Sequence, residues 1–260
     1  SNVGATARGG RGGRGGNGGA PEGAAGDGGR GGDAEVETTI RTGPNLSPFT
    51  STLSMSASAI AGDSGDSGTP GSPTAASGAG PDGGNATARI VGEATVGVRS
   101  VTTSARAAGG AGGDVDGTSL VAGAGGTADA SAYGIATDQT LFHRVSVTAE
   151  GGSGGWGDGL ENGGDGGDVF LQDAVAGEGG VTLTLEQRAV GGDAGGGGEG
   201  GDATSVLEAD RAEGNLSLVV SAEGGDSSAG RGGDGRASAV ATAGGDVRVD
   251  ARVVAGEDRG

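Results

Sequence analysis

The residues with the clearest chemical potential are two aspartates, Asp165 and Asp168, in a glycine-rich segment. Residues 163–171 fit the calcium-binding nonapeptide GGxGxDxUx, in which backbone carbonyls and Asp oxygens surround a hard cation. Functional copies of this motif stand in tandem, and no copy here is tandem. We therefore expect solvated carboxylates and no metal at these residues, with calcium as the alternative. Partial forms that lack the apolar residue end at Asp33, Asp114, Asp202 and Asp234.

Three Asn-x-Ser/Thr sequences, at Asn45, Asn85 and Asn215, are candidate N-glycosylation sites. Glycans at these residues would suit a secreted surface. The alternative is turn chemistry, because Asn215 falls in a predicted turn and Asn is favoured in turns in any case.

An enzyme is the least favoured class of function. His143 is the single histidine and Cys is absent, so a catalytic triad or a His/Cys metal site has no convergent partners. We expect His143 to be a strand-surface residue. Acidic pairs are plentiful, but a glycosidase cleft also needs aromatic platforms, and Trp156 and Tyr133 are the only Trp and Tyr. We predict no catalytic residue and no cofactor.

The composition excludes further classes. Of 260 residues 67 are Gly and 6 are Pro, aromatic residues make up 2%, and the net charge is −18. An acidic chain in which all 16 basic residues are Arg repels nucleic acid and anionic membranes. No apolar stretch is long enough to span a bilayer. The chain starts at Ser1 rather than Met, and we expect that a signal peptide has been removed.

A repeat argues against the disorder that this composition would otherwise indicate. The motif Gly-Gly-[Asp/Asn/Thr]-[Ala/Val/Gly] has six anchors, with spacings of 52, 42, 41, 34 and 32 residues. The anchors are Gly31, Gly83, Gly125, Gly166, Gly200 and Gly232. After each anchor comes a short alternating segment, a turn and a longer alternating segment, as in Val169–Val175 and Val181–Val190. Period-two alternation around glycine turns predicts six strand pairs, twelve strands in all.

The glycine-rich segments between these strand pairs, here called glycine arms, have a period of three. Residues 9–32 read as eight triplets, such as GGR GGR GGN. Three residues per turn is the period of the polyproline II helix, and glycine is needed where two such helices pack closely. We therefore expect ordered arms that fold back at their tips, with Gly10, Gly13, Gly16 and Gly19 lining a helix–helix contact. A flexible linker is the alternative.

The triplet arms resemble the polyglycine II bundles of springtail antifreeze proteins and phage tail-tip adhesins. The alternating strands with GGxGG segments resemble glycine-rich repeat proteins of microbial surfaces. The resemblance is one of structural style, and it implies binding or scaffolding outside the cell.

We predict one all-β domain, a solenoid-like stack of six strand-pair units that alternate with polyglycine arms. Residues 1–30 form an N-terminal strand fragment and arm, and 31–260 form the repeats, with units 31–82, 83–124, 125–165, 166–199, 200–231 and 232–260. The last strand, Val247–Ala255, and the fragment Val3–Ala7 are open edges, so we expect head-to-tail assembly. The predicted function is a structural subunit of an extracellular filament, sheath or matrix. The alternative is an extracellular binding module, an ice-binding protein or an adhesin, that uses the arm surface.

Overall fold

The computed structural model describes residues 1–19, 22–42, 52–72, 75–95, 98–116, 120–158 and 162–258. Within these ranges the regular structure consists of strands, and no helix is present that could cross a membrane. The first seven strands are β1 (Asn2–Arg8), β2 (Ala34–Thr42), β3 (Thr52–Ile60), β4 (Ala86–Ala94), β5 (Ser100–Ala108), β6 (Ala128–Ile135) and β7 (Phe142–Glu150). The remaining seven are β8 (Val169–Gln172), β9 (Val175–Glu178), β10 (Thr182–Val190), β11 (Ala203–Arg211), β12 (Asn215–Glu223), β13 (Gly235–Ala243) and β14 (Val247–Val254).

The strands form three sheets, and every ladder in them is parallel. The seven-stranded sheet has the order β1-β3-β5-β7-β10-β12-β14. Across the core lie a four-stranded sheet, β2-β4-β6-β9, and a three-stranded sheet, β13-β11-β8. The chain runs from a strand of the seven-stranded sheet through a glycine arm to a strand of a short sheet, and this path is one layer. Each strand therefore pairs with its equivalent in the next layer.

The predicted stack of six strand pairs is wrong. The two alternating segments of a unit do not pair with each other, because they belong to different sheets: β11 lies in the three-stranded sheet and β12 in the seven-stranded one. The described residues form fourteen strands, where we predicted twelve. The residues described do not close into a solenoid either, because the face opposite the seven-stranded sheet is divided in two. Residues 43–51, where we predicted the first turn, lie outside the described ranges.

The core between the sheets is thin and built from small aliphatic side chains. On β3, alternate residues from Leu53 to Ala59 point inward and are almost fully buried. They face the alternating alanines of β4, so that the two sheets approach closely. This arrangement explains how a chain in which Phe, Trp and Tyr make up 2% of the residues folds around an aliphatic core.

The glycine arms are ordered and bond to one another through their backbones. Each arm has an outgoing leg and a returning leg. The amide of Gly29 on the returning leg donates to the carbonyl of Gly13 at 2.7 Å, and the amide of Gly65 in the next layer donates to Gly29 at 2.8 Å. Backbone groups are thus satisfied between legs, without a hydrophobic core.

The glycine phase that we predicted to line the contact is the wrong one. A Cβ on Gly10, Gly13, Gly16 or Gly19 would meet nothing within 4 Å. The packed phase is one residue earlier, because a Cβ on Gly12 would overlap the carbonyl of Gly29 and lie 2.7 Å from the amide nitrogen of Gly65. The equivalents of Gly10 in later layers do contact the layer before them. Gly10 is open because it stands in the first layer.

A break separates the two short sheets at Asp173, which has a positive φ of 47°. β8 pairs with β11 in the following layer, whereas β9 pairs with β6 in the preceding layer. The buried side chain of Gln187 fills the break from the seven-stranded sheet. Its Oε1 accepts the amide of Ala174 at 2.9 Å, and its Nε2 donates to the carbonyls of Leu171 and Val206 at 3.1 Å.

Candidate interface at the two ends of the sheets

The first end of the seven-stranded sheet is β1, which is a full seven-residue strand and not a fragment. It pairs on one side with β3, and the described chain has no strand on its other side. Val3 points toward the core, in register with the buried Met55, yet it is 46% exposed. On the glycine leg that follows β1, a Cβ on Gly10 would meet nothing within 4 Å. Strand edge, core and glycine leg are thus uncovered together.

The other end is β14, which in the described part of the chain pairs with β12 alone. Val247 and Val249 are in register with the buried Leu216 and Leu218, yet each is 45% exposed. Val253 is 50% exposed for the same reason: among the described residues no further strand covers the core. This end therefore also presents a strand edge, the edge of the core and a glycine leg. On that leg, Gly256 packs on Gly225 of the previous layer.

The two ends match in register when the ladder is extended. The chain of parallel partners that begins at Val3 and Met55 ends at Leu218 and Val249. A second copy added in the same register would place Val3 next to Val249. The same extension sets Ala5 next to Ala251 and Ala7 next to Val253, and Arg8 falls beside Val254 rather than beside another cation. The geometry therefore permits a parallel strand contact with an apolar inner face.

The carboxylates of Asp165 and Asp168, at which we predicted no metal, accept hydrogen bonds from backbone amides of the next layer. Asp168 Oδ1 accepts the amide of Asp202 in the next layer at 2.7 Å, and Asp202 Oδ1 accepts that of Asp234 at 2.8 Å. Asp165 Oδ1 accepts the amide of Glu199 at 2.8 Å. In the described ranges no group of three His, Asp or Glu side chains is placed to hold a metal ion. The Asp/Asn of the repeat anchor thus links one layer to the next.

Two of the three candidate glycosylation residues lie in described ranges and take part in similar links. Asn85 Oδ1 accepts the amide of Thr127 at 2.9 Å, and Asn215 Oδ1 accepts that of Asp246 at 3.0 Å. Asn45 lies outside the described residues. Glycosylation at these three positions stays a prediction.

His143 is buried rather than on the strand surface. It points inward from β7, in register with Val101 and Leu183, and is 1% exposed. Burial lowers the pKa of its imidazole to about 4, although backbone groups of Glu178 and Gly179 oppose that effect. Neither ring nitrogen has a well-formed hydrogen bond in the described structure. His143 is therefore a neutral core residue at pH 7.

Outward-facing ion pairs cross the layers of the seven-stranded sheet. Arg106 bonds to Glu150 at 2.7 Å, and Arg188 bonds to Glu223 at 3.0 Å. The Arg residues thus neutralise part of the acidic charge where strands are in contact. Each exposed ion pair of this kind adds little to the free energy of folding, so the pairs are a minor source of the stack's stability.

No family model, curated protein or solved structure matches this chain. Sequence reasoning located the open strand edges but missed the glycine end face and Gln187. A signal for Gln187 was present, because it occupies an inward position of the alternating strand Thr182–Val190, where the pattern calls for an apolar residue.

Proposed function

We propose that the protein is a structural subunit that assembles head-to-tail, through its open strand edges, into an extracellular filament, sheath or matrix. The observation that carries the proposal is the pair of uncovered ends. Inward-facing valines on β1 and β14 are about half exposed, at edges where the described residues supply no partner strand. A parallel edge that exposes apolar side chains is a template for a further strand.

The glycine leg beside β1 supports the same proposal independently. A Cβ on Gly10 would meet nothing within 4 Å, and glycine carries an entropic cost of about 0.5–1 kcal/mol in ordered backbone. Its equivalent Gly62 is in close contact with the carbonyl of Gly10. A second copy docked in register would place the carbonyl of its Gly256 against Gly10. A side chain at position 10 would then clash with that carbonyl, which explains why glycine stands there.

Charge sets the condition for assembly. Each subunit carries a net charge of −18, so copies repel one another at low ionic strength. Salt screens this repulsion over a Debye length of about 10 Å at 0.1 M. We therefore expect assembly to increase with salt and protein concentration.

The test is sedimentation velocity and negative-stain electron microscopy of wild type and variants at low and high salt. Val249→Asp places a charge in the proposed contact but on a half-exposed residue of the free subunit. Gly10→Val adds a branched side chain to the open glycine face. Both should leave the subunit folded and abolish fibres. Val181→Asp is the matched control, because Val181 is 48% exposed and lies in the middle of the stack, before β10.

Fibres for wild type and the control, and single subunits for the two end variants, support the proposal. Discrete particles for wild type at every salt concentration would refute it and favour the binding-module alternative. Fibres that persist in both end variants would refute this contact.

A further inference from the structure

The break between the short sheets leaves a slot beside β9. β8 pairs with the first half of β11, residues 203–206, and stops there. Within the described ranges, residues 207–211 of β11 have no strand on that side, and β9 has none on the side away from β6. Most Cα atoms of β9 lie more than 8 Å from those of β11. β9 and β11 are therefore not paired with each other, and a strand added between them would lie about 4.8 Å from each.

Two adjoining cavities occupy the slot, with volumes of about 180 and 510 Å³. They share Gly177, Asp210 and Arg211 as lining residues. The smaller cavity is apolar at its base, where side chains of the seven-stranded sheet form the floor; these are Leu183, Leu185 and Leu216. It has room for one aliphatic side chain, whereas the larger cavity opens along the turns after β9 and β11.

The surroundings of the slot are strongly acidic. Five carboxylates line it, against one cation; the acids are Asp138, Glu178, Glu208, Asp210 and Glu213. The cation, Arg211, is directed at backbone carbonyls: its Nη1 donates to Asn215 at 3.1 Å, and its Nη2 donates to Gly180. The guanidinium therefore braces the turns, and the acidic rim is left without a basic side chain of its own.

We propose that the slot between β9 and β11 binds an extended cationic peptide segment of a partner protein as an added strand. The amide of Glu208 already donates to Asp173 Oδ1 at 2.8 Å, so on β11 the segment's backbone pairs beyond Glu208, at Asp210. On the other side it pairs with the open edge of β9, and such backbone pairing is the usual source of affinity in strand addition. One of its aliphatic side chains enters the small cavity over Leu183. Because side chains alternate along a strand, the residues on either side of it point outward. There they meet Glu208 and Asp210, so basic residues fit those positions.

The probe is a fluorescein-labelled peptide, Ser-Arg-Leu-Arg-Leu-Arg-Ser, titrated with wild-type protein and followed by fluorescence anisotropy. Two peptides serve as comparisons. The first has Glu in place of each Arg. The second keeps the Arg residues, but alternate backbone amides are N-methylated, so that they cannot donate hydrogen bonds to a neighbouring strand. We expect binding of the Arg peptide only. The N-methylated peptide keeps all the charge, so it separates strand addition from general attraction to an acidic protein.

Three protein variants locate the site. Ala209→Leu fills the small cavity, which Ala209 lines, and should abolish binding. The double variant Glu208→Gln/Asp210→Asn removes two rim charges and should weaken binding about fivefold, as expected for two partly exposed ion pairs. The control Glu35→Gln/Glu37→Gln removes the same charge from exposed positions of β2 and should leave affinity unchanged. Circular dichroism establishes that each variant is folded.

Equal binding of the Arg peptide and its N-methylated form would overturn the proposal, because attraction would then be purely electrostatic. Equal weakening by the rim and control variants would do the same. If Ala209→Leu does not fold, the three peptides on wild-type protein still decide the question.

Discussion

A pair of neighbouring glycines, Gly12 and Gly13, tests how the arms are held together. Gly12→Ala puts a methyl group against the returning leg, where it would overlap the carbonyl of Gly29. Gly13→Ala adds the same methyl group one residue later, where nothing lies within 4 Å and the φ angle is outside the left-handed region. The two variants have the same composition and differ only in which triplet phase they occupy.

The expected loss for Gly12→Ala is about 3 kcal/mol. Forcing a methyl group into close-packed backbone costs about 1–3 kcal/mol. Separating the legs also weakens the bonds from Gly29 to Gly13 and from Gly65 to Gly29, at about 1 kcal/mol each. A gain of about 0.4–1 kcal/mol from the stiffer unfolded chain offsets part of this loss. Gly13→Ala keeps only that gain, so its stability should equal or slightly exceed that of wild type.

Urea unfolding of dilute, unassembled protein, followed by circular dichroism, measures both free energies, and thermal unfolding of the same samples gives the melting temperatures. The melting temperature of Gly12→Ala should fall by about 6 °C, and that of Gly13→Ala should not fall. Equal stabilities for the two variants would refute the packed-leg account and favour a flexible arm. Greater loss for Gly13→Ala would mean that the other glycine phase carries the contact.

Three further predictions follow from single residues. As pH falls from about 6.5 to about 4, His143 should cost the fold up to about 3 kcal/mol, because the unfolded state takes up the proton first; His143→Leu should remove that part of the pH dependence in urea titrations. Gln187→Leu should lose about 2–4 kcal/mol, since it leaves the Ala174 amide without its acceptor; a loss below about 0.5 kcal/mol would show that the break does not need Gln187. Calcium chelation should leave the melting temperature unmoved, because Asp165 and Asp168 bond to neighbouring layers; stabilisation that grows with calcium would contradict this reading.

The sequence by itself determined where strands and arms occur. Alternation in segments such as Val181–Val190 indicates a strand with one buried face. The signal is local, so it can be recognised before the fold is known. The triplet phase of residues 9–32 likewise predicted ordered glycine legs. The strand segments at Val3–Ala7 and Val247–Ala255 were visible too, because both alternate with a period of two.

The partner of each strand was decided only by the tertiary structure. Two alternating segments joined by a glycine turn fit a hairpin and a crossing between two facing sheets equally well. Alternation shows that one face of a strand is buried, but it does not show which element covers that face. The glycine phase has the same limit. Gly12 and Gly13 stand in two triplet phases that are both filled by glycine, and only the position of the neighbouring legs makes one packed and the other open. Gln187 and Asp173 depend on a break that arises between layers far apart in the chain, so their roles appear only when those layers meet.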